Sequence, residues 1–364
     1  DVQSLAASGS VVNIASGSAG KDAFLWKGAL TVDNSYGTIN LDNTSNVLNN
    51  VERSAVGVTL DSGVTLTGTQ ANQIALADID MYNGNYVNMN NLGTISLSGS
   101  GSTGIYTNNG TIINKGTVTV SGAESIGLYG ENSTAVTNDQ TGVITIGDQS
   151  IGIYGVSYQN PSSAPTTYGT GKINIINKGI ITANAGSKAM GIYANNNKSG
   201  GTIADSNIDL GSGTIDVSAS ESGVGVYANK GTVTDSGSKI IVGENGVALY
   251  AKDSNVTLTG STINLYGNNA LGIYLDGTTN FTGDGIININ GQNVTLFTMN
   301  TSGSVSNNFT LGNVVTGSSY TLGNILGSAF EYEGISTLAS GGTLVSGTNS
   351  AVYLKNSEIT SALG

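Results

Sequence analysis

GIYTNNGTIINKGTVTVSG, residues 104–122, holds three short runs of alternating apolar residues, GIY, TIIN and TVTV, separated by TNNG and KG turns. Alternation with a period of two is the mark of a β-strand with one buried face. Runs this short cannot bury that face alone, so the unit must stack on a copy of itself. Copies are present on both sides. An aliphatic, a small residue, an aliphatic and a tyrosine recur as TGIY at 103–106, IGLY at 126–129, IGIY at 151–154 and MGIY at 190–193, then as VGVY at 224–227, VALY at 247–250 and LGIY at 271–274. The tyrosines are spaced 23, 25, 39, 34, 23 and 24 residues apart.

A second motif, glycine followed by two aliphatics in alternation, keeps the same cycle. It reads GTISL from Gly93, GTVTV from Gly116, GVITI from Gly142, GIITA from Gly179, GTIDV from Gly213 and GIINI from Gly285. SKIIV from Ser238 and STINL from Ser261 fill the gaps with serine. Two motifs locked to one period of about 24 residues, with three short strands per period, predict an all-β chain folded as a right-handed parallel β-helix. Coils ~4.8 Å apart make about 15 coils a rod on the order of 70 Å long. Period-two alternation predicts Ile126 and Leu128 inward, with Gly127 and Tyr129 outward, so that the tyrosines form an exposed column. Asparagines of TNNG, ANNNKSG and YGNNA are expected as left-handed turn residues, stacked as internal ladders.

Two intervals are lengthened, by GVSYQNPSSAPTTYGTGK at 155–172 and by ANNNKSGGTIADSNIDLGSG at 194–213. Insertions into a solenoid leave it as loops, which is where specificity is placed. The first loop carries both prolines of the chain, Pro161 and Pro165, with Tyr158 and Tyr168. These four residues and the column members Tyr106, Tyr129 and Tyr154 are the candidate binding residues. The column has a second reading, as rings that cover neighbouring residues and stiffen the sheet. No linker is visible, so 1–364 reads as a single solenoid with less regular coils at 1–92, regular repeats at 93–291 and irregular coils at 292–364. The last segment holds Phe297, Phe309 and Phe330, three of the five phenylalanines.

Composition excludes several function classes. Glycine is 54 of 364 residues and charged residues are only 10%, yet 38% are hydrophobic, which is not the makeup of a charged disordered chain. There is no cysteine and no histidine, so thiolate chemistry, disulfides and the commonest general base are missing together. Twelve basic residues against 24 acids give a net charge of −12, which argues against nucleic acid and anionic membrane surfaces as partners. No apolar run reaches the ~18 residues of a membrane span. The start, DVQSLAASGS, lacks the pattern of a signal peptide, and the chain reads as a segment of something longer.

Chemical motifs are weak. GSGSTG at 99–104 has dinucleotide-loop spacing but is followed by a strand pattern instead of a helix. TDSGS at 234–238 is similar to a serine-protease nucleophile segment, but without histidine nothing accepts the Ser236 proton. Asp78 with Asp80, and Glu331 with Glu333, are paired acids of the kind a glycoside hydrolase uses. Solvated acids are the plainer reading, and a weak calcium site is the other one left open. No catalytic residue, cofactor or dedicated metal site is therefore expected.

The strings GIYTNNGTIINKGTVTVSG and SIGLYGENSTAVTNDQTGVITIG resemble the passenger domains of autotransporters, the type V secreted surface proteins. The likeness is nearest to the large fusobacterial outer-membrane adhesins of the RadD type, and is clearest over 93–291. It implies a non-catalytic passenger displayed at the cell surface through the outer membrane, attaching to proteins or glycans of other bacteria or host cells and contributing to virulence. It supplies no ligand residues, because the shared motif is structural. A monomer is expected, without membrane insertion by this segment. The alternatives are a β-helical polysaccharide-degrading enzyme or tailspike-like depolymerase, and a purely structural stalk.

Overall fold

The computed structural model describes residues 11–13, 22–26, 30–34, 37–42, 46–50, 57–78, 88–108, 110–132, 134–157, 172–196, 206–325, 329–338, 342–346 and 351–361. The protein is all-β, with parallel strands stacked as a β-solenoid of about 25 residues per turn. The chain falls into two compact units, Asp1–Asn184 with Asn197–Gly200, and Ala185–Asn196 with Gly201–Gly364.

In the first unit each coil is built from three strands, as in Thr103–Asn108, Thr111–Asn114 and Thr117–Val120. Each strand pairs only with its counterpart in neighbouring coils. Ile95 lies opposite Val118, Val118 opposite Ile144, and Ile144 opposite Ile181, all of them fully buried. The outward neighbours Ser96, Thr119, Thr145 and Thr182 form a hydroxyl column in the same register. Threonine and serine suit this face because they fit the pleat and carry no charge to repel the copy one strand spacing away.

Two buried polar ladders hold the corners. Where the second strand gives way to the third, Asn91 donates through Nδ2 to Asn114 Oδ1 at 2.8 Å, Asn114 to Asn138 at 2.9 Å and Asn138 to Asn177 at 2.9 Å. All four side chains are fully buried. Asn91 Oδ1 also accepts from the Gly93 N–H, so the residue that ends the strand also shapes the turn. A Cβ on Gly116 would collide with the Gly93 carbonyl, and one on Gly179 with the Gly142 carbonyl, which is why the second motif begins with glycine. Before the first strand, the N–H of Ser102 donates to Ser125 Oγ at 3.1 Å and that of Ser125 to Ser150 Oγ at 3.0 Å.

The residue ahead of each of those serines has positive φ: Gly101 at 68°, Glu124 at 57° and Gln149 at 51°. Its N–H points along the stack, as in Glu124 to the Asp148 carbonyl at 3.0 Å. Of the asparagines expected as left-handed turn residues, Asn269 is one, with φ 56°. Asn108, Asn195 and Asn196 instead end first strands. Asn108 and Asn195 stack there on the next coil, Asn132 Nδ2 donating to Asn108 Oδ1 and Asn229 Nδ2 to Asn195 Oδ1, both at 2.9 Å. A longer internal ladder is formed by the asparagines that close the second strands.

The second unit starts with the same three-strand coil, in Met190–Asn196, Ser206–Asp209 and Thr214–Val217. From Asn255 onward the second and third strands run together as Asn255–Leu265, Asn280–Ile289 and Val305–Val314. Phe281, Phe297 and Phe309 fill the core of these coils, the last two edge to face with centroids 6.2 Å apart.

Candidate functional site

The outer surface of the first strands is the face on which the sequence put its tyrosine column. Tyr106 lies in register with Tyr129, and Tyr129 with Tyr154. Their ring centroids are 5.1 and 4.9 Å apart, at interplanar angles of 68° and 83°. In the second unit Tyr193, Tyr227, Tyr250 and Tyr274 are likewise in register, with the first three rings nearly parallel at 4.8 and 5.2 Å. All seven rings are half-buried. The expected column is therefore present. Tyr158, Pro161, Pro165 and Tyr168 lie outside the described residues.

The direction of the neighbouring side chains differs from expectation. Leu128 is fully buried, but so is Gly127, while Ile126 is half-exposed beside Tyr129. A Cβ on Gly127 would stand 2.7 Å from Ile144 Cγ2, a core atom of a third strand, and 2.6 Å from the Gly152 carbonyl oxygen. The glycine thus faces inward where two sheets approach, and the alternation is interrupted so that Gly127 and Leu128 both lie on the core side. Ile126 and its counterparts Ile151, Met190, Val224, Val247 and Leu271 are turned outward as a half-buried aliphatic column. The signal was in the sequence: a small residue at this position in every copy marks a lack of space, which a solvent-facing position does not have.

Polar groups edge the rings. Glu131 accepts from the Tyr106 hydroxyl at 3.1 Å and from that of Tyr129 through its other oxygen. Tyr250 donates to Asp276 Oδ2 at 3.2 Å, and Asn195 Nδ2 donates to the Tyr193 hydroxyl at 3.0 Å. Burial pushes the Tyr250 phenol up, reinforced by the Asp276 carboxylate that it faces. Burial also raises Tyr227, with Tyr193 and Asp276 adding to it. Both phenols stay protonated at neutral pH, and Tyr250 acts as a donor to Asp276.

The other motifs resolve into structural roles. GSGSTG leads into the strand Thr103–Asn108, and its Ser102 belongs to the serine ladder. In TDSGS, Asp235 Oδ2 accepts from Ser238 Oγ and from Ser261 Oγ, the latter at 2.5 Å, and its Oδ1 accepts from the Gly237 and Thr259 N–H groups. That buried carboxylate ties two coils together. Asp80 and the side chains of Asp78, Glu331 and Glu333 lie outside the described residues. Among the described residues no group of three or more acids gathers to hold a metal. No protein-family model matches the chain, and no curated protein or solved structure matches it either.

Proposed function

We propose that this chain is a passenger segment of a bacterial surface adhesin of the autotransporter type, displayed outside the outer membrane and binding partners without catalysis. The observation that carries this reading is the paired outward stripe of tyrosines and aliphatics, repeated coil after coil. Amphipathic rings beside aliphatic side chains, edged by carboxylate and carboxamide tips, are the composition of a contact surface. A low-charge, cysteine-free repeat also suits secretion as an unfolded chain that folds outside by adding coil to coil.

The test is attachment of beads coated with the purified chain to panels of bacterial and host cells. Attachment is expected, and is reduced by the combined Tyr106→Ser, Tyr129→Ser and Tyr154→Ser variant or by deletion of residues 158–171. An intact chain that attaches to nothing overturns the adhesin reading. One observation favours the second reading, a structural stalk: the rings of Tyr193, Tyr227 and Tyr250 cover one another's faces at interplanar angles of 7° and 3°. If neither the triple variant nor the deletion weakens attachment, these residues are part of such a stalk.

A further inference from the structure

At the end of the third strand most regular coils turn on a small or short polar residue. Ser98, Ser121, Gly147 and Asn184 hold this place in the first unit, and Ser218 and Gly243 in the second. In Ser98, Ser121, Gly147 and Asn184 the backbone N–H donates to the carbonyl that ends the strand one coil before, as Ser121 does to Leu97 at 2.9 Å. Tyr266 makes the same bond, to the Val242 carbonyl at 3.0 Å, but puts an aromatic ring at the corner with 48% of its surface exposed. The next two coils place Asn290 and Val315 at this corner.

A bulge opens beside it. Pairing passes from Ile287 opposite Leu311 to Ile289 opposite Val314, so Gly312 and Asn313 share the single partner Asn288. Asn288 Oδ1 accepts the Asn313 N–H at 2.7 Å, and its Nδ2 donates to Asn264 Oδ1 at 2.7 Å. A Cβ on Gly312 would collide with that Oδ1, so glycine permits the bulge and Asn288 pins it. Bulges re-aim side chains next to binding sites. The result is a cleft of about 260 Å³ lined by Tyr266, Asn288, Ile289, Asn290, Asn313 and Val315. The exposed carboxamides of Asn290 and Asn313 make no side-chain hydrogen bond to any described residue.

The chemistry of this lining selects its ligand. No cation lines the cleft to hold a phosphate or carboxylate, and no carboxylate lines it to hold a metal ion. A wholly apolar ligand would strip water from the carboxamides without replacing its hydrogen bonds. A neutral sugar ring fits both parts, with its C–H face on the exposed tyrosine and its hydroxyls on amides that both donate and accept. The volume lies just under the ~300 Å³ at which sites for drug-sized ligands begin, on the scale of one sugar unit of a glycan.

We infer that the Tyr266–Asn290–Asn313 cleft binds a neutral sugar unit of a glycan. This deepens the adhesin reading by naming a ligand class, and its test is independent of cell attachment. Saturation-transfer NMR is run on the full chain with the methyl glycosides of glucose, galactose, mannose, fucose, N-acetylglucosamine and N-acetylgalactosamine. Transfer to at least one of them is expected. Tyr266→Ser, which restores the residue that Ser121 and Ser218 supply at this turn, weakens it about tenfold or more, while Tyr266→Phe keeps it. Asn313→Ala weakens it with an unchanged thermal melt. No transfer to any of the six, or equal transfer in Tyr266→Ser, overturns the inference. Sugar binding without cell attachment sinks the adhesin reading alone. Attachment that Tyr266→Ser abolishes, with no sugar bound, assigns the cleft to a protein partner and overturns the sugar.

Discussion

The corner between second and third strands is built in several ways, and the difference shows how a coil can turn. In the first unit the corner residue is Val32 or Leu60 in early coils, and Asn91, Asn114, Asn138 or Asn177, buried and linked to its copies, in later ones. In the second unit the register brings Leu210, Asp235, Leu258 and Gly283 to this place. An asparagine or aspartate accepts the N–H two residues on, as Asn91 does from Gly93 and Asp235 from Gly237, which ends the strand in a tight turn. Where a leucine holds the corner, a neighbouring aspartate can supply the acceptor, as Asp61 does for the Ser62 N–H after Leu60 and Asp209 for the Gly211 N–H beside Leu210. At Leu258 and Gly283 no adjoining aspartate or asparagine supplies an acceptor in that way, and the two strands continue as one. The core changes to match. Polar ladders give way to phenylalanines, and Gly283 leaves the space that the rings of Phe281 and Phe309 occupy, since a Cβ on it would stand 2.5 Å from Phe281 Cζ.

Breaking each kind of corner separates them. The largest effect is expected from Phe309→Ala, which empties the core of the merged coils and costs about 3–5 kcal/mol. Hydrogen exchange should show the loss of protection confined to coils around 281–309, because solenoid coils depend on near neighbours. Asn114→Leu comes next. It strands the Asn91 donor and the Asn138 acceptor in the core, at about 2–4 kcal/mol, read as a lower guanidinium midpoint and faster exchange over 88–138.

Smaller effects sharpen the comparison of the two tyrosine columns. The folded-state pKa of Tyr250 is raised, so its stabilisation is complete below the free-phenol value of 10.0 and is lost as pH climbs past it. The chain should become less stable above pH ~10, and Tyr250→Phe should flatten that decline. A spectrophotometric phenol titration at 295 nm checks the sign, because Tyr250 must ionise after the bulk of the tyrosines. The smallest change is Gln149→Gly, which relieves a φ of 51° at a non-glycine turn residue. A gain of up to about 1 kcal/mol is expected in the urea midpoint.

The repeat, the three strands of the regular coils and the inward set of the third strands were legible because they depend on local alternation. Val118 and Val120 are fully buried as that alternation requires. The column of Tyr106, Tyr129 and Tyr154 was legible for the same reason. Ile126 was misplaced because its direction depends on Ile144, a residue from a different strand that fills the space in front of Gly127. Asparagine ladders expected at the Asn-rich turns are present as the pairs Asn108 with Asn132 and Asn195 with Asn229, while the long buried ladder formed at single asparagines closing TIIN-type strands, where each copy buries the next. Tyr266 gave no sign of itself in its own segment. Its significance lies in Asn290 and Asn313, which reach the same cleft from the following coils.

By itself the sequence determined a parallel β-solenoid, its period and the face that carries the rings. A two-residue alternation repeated every ~24 residues leaves no other way to bury the aliphatics. Tertiary structure alone decided which corners turn on a polar ladder, where strands merge, which aliphatics face water and what surrounds Tyr266. Each of these is set by the residue stacked one coil away, and its identity matters only once the register has brought it there.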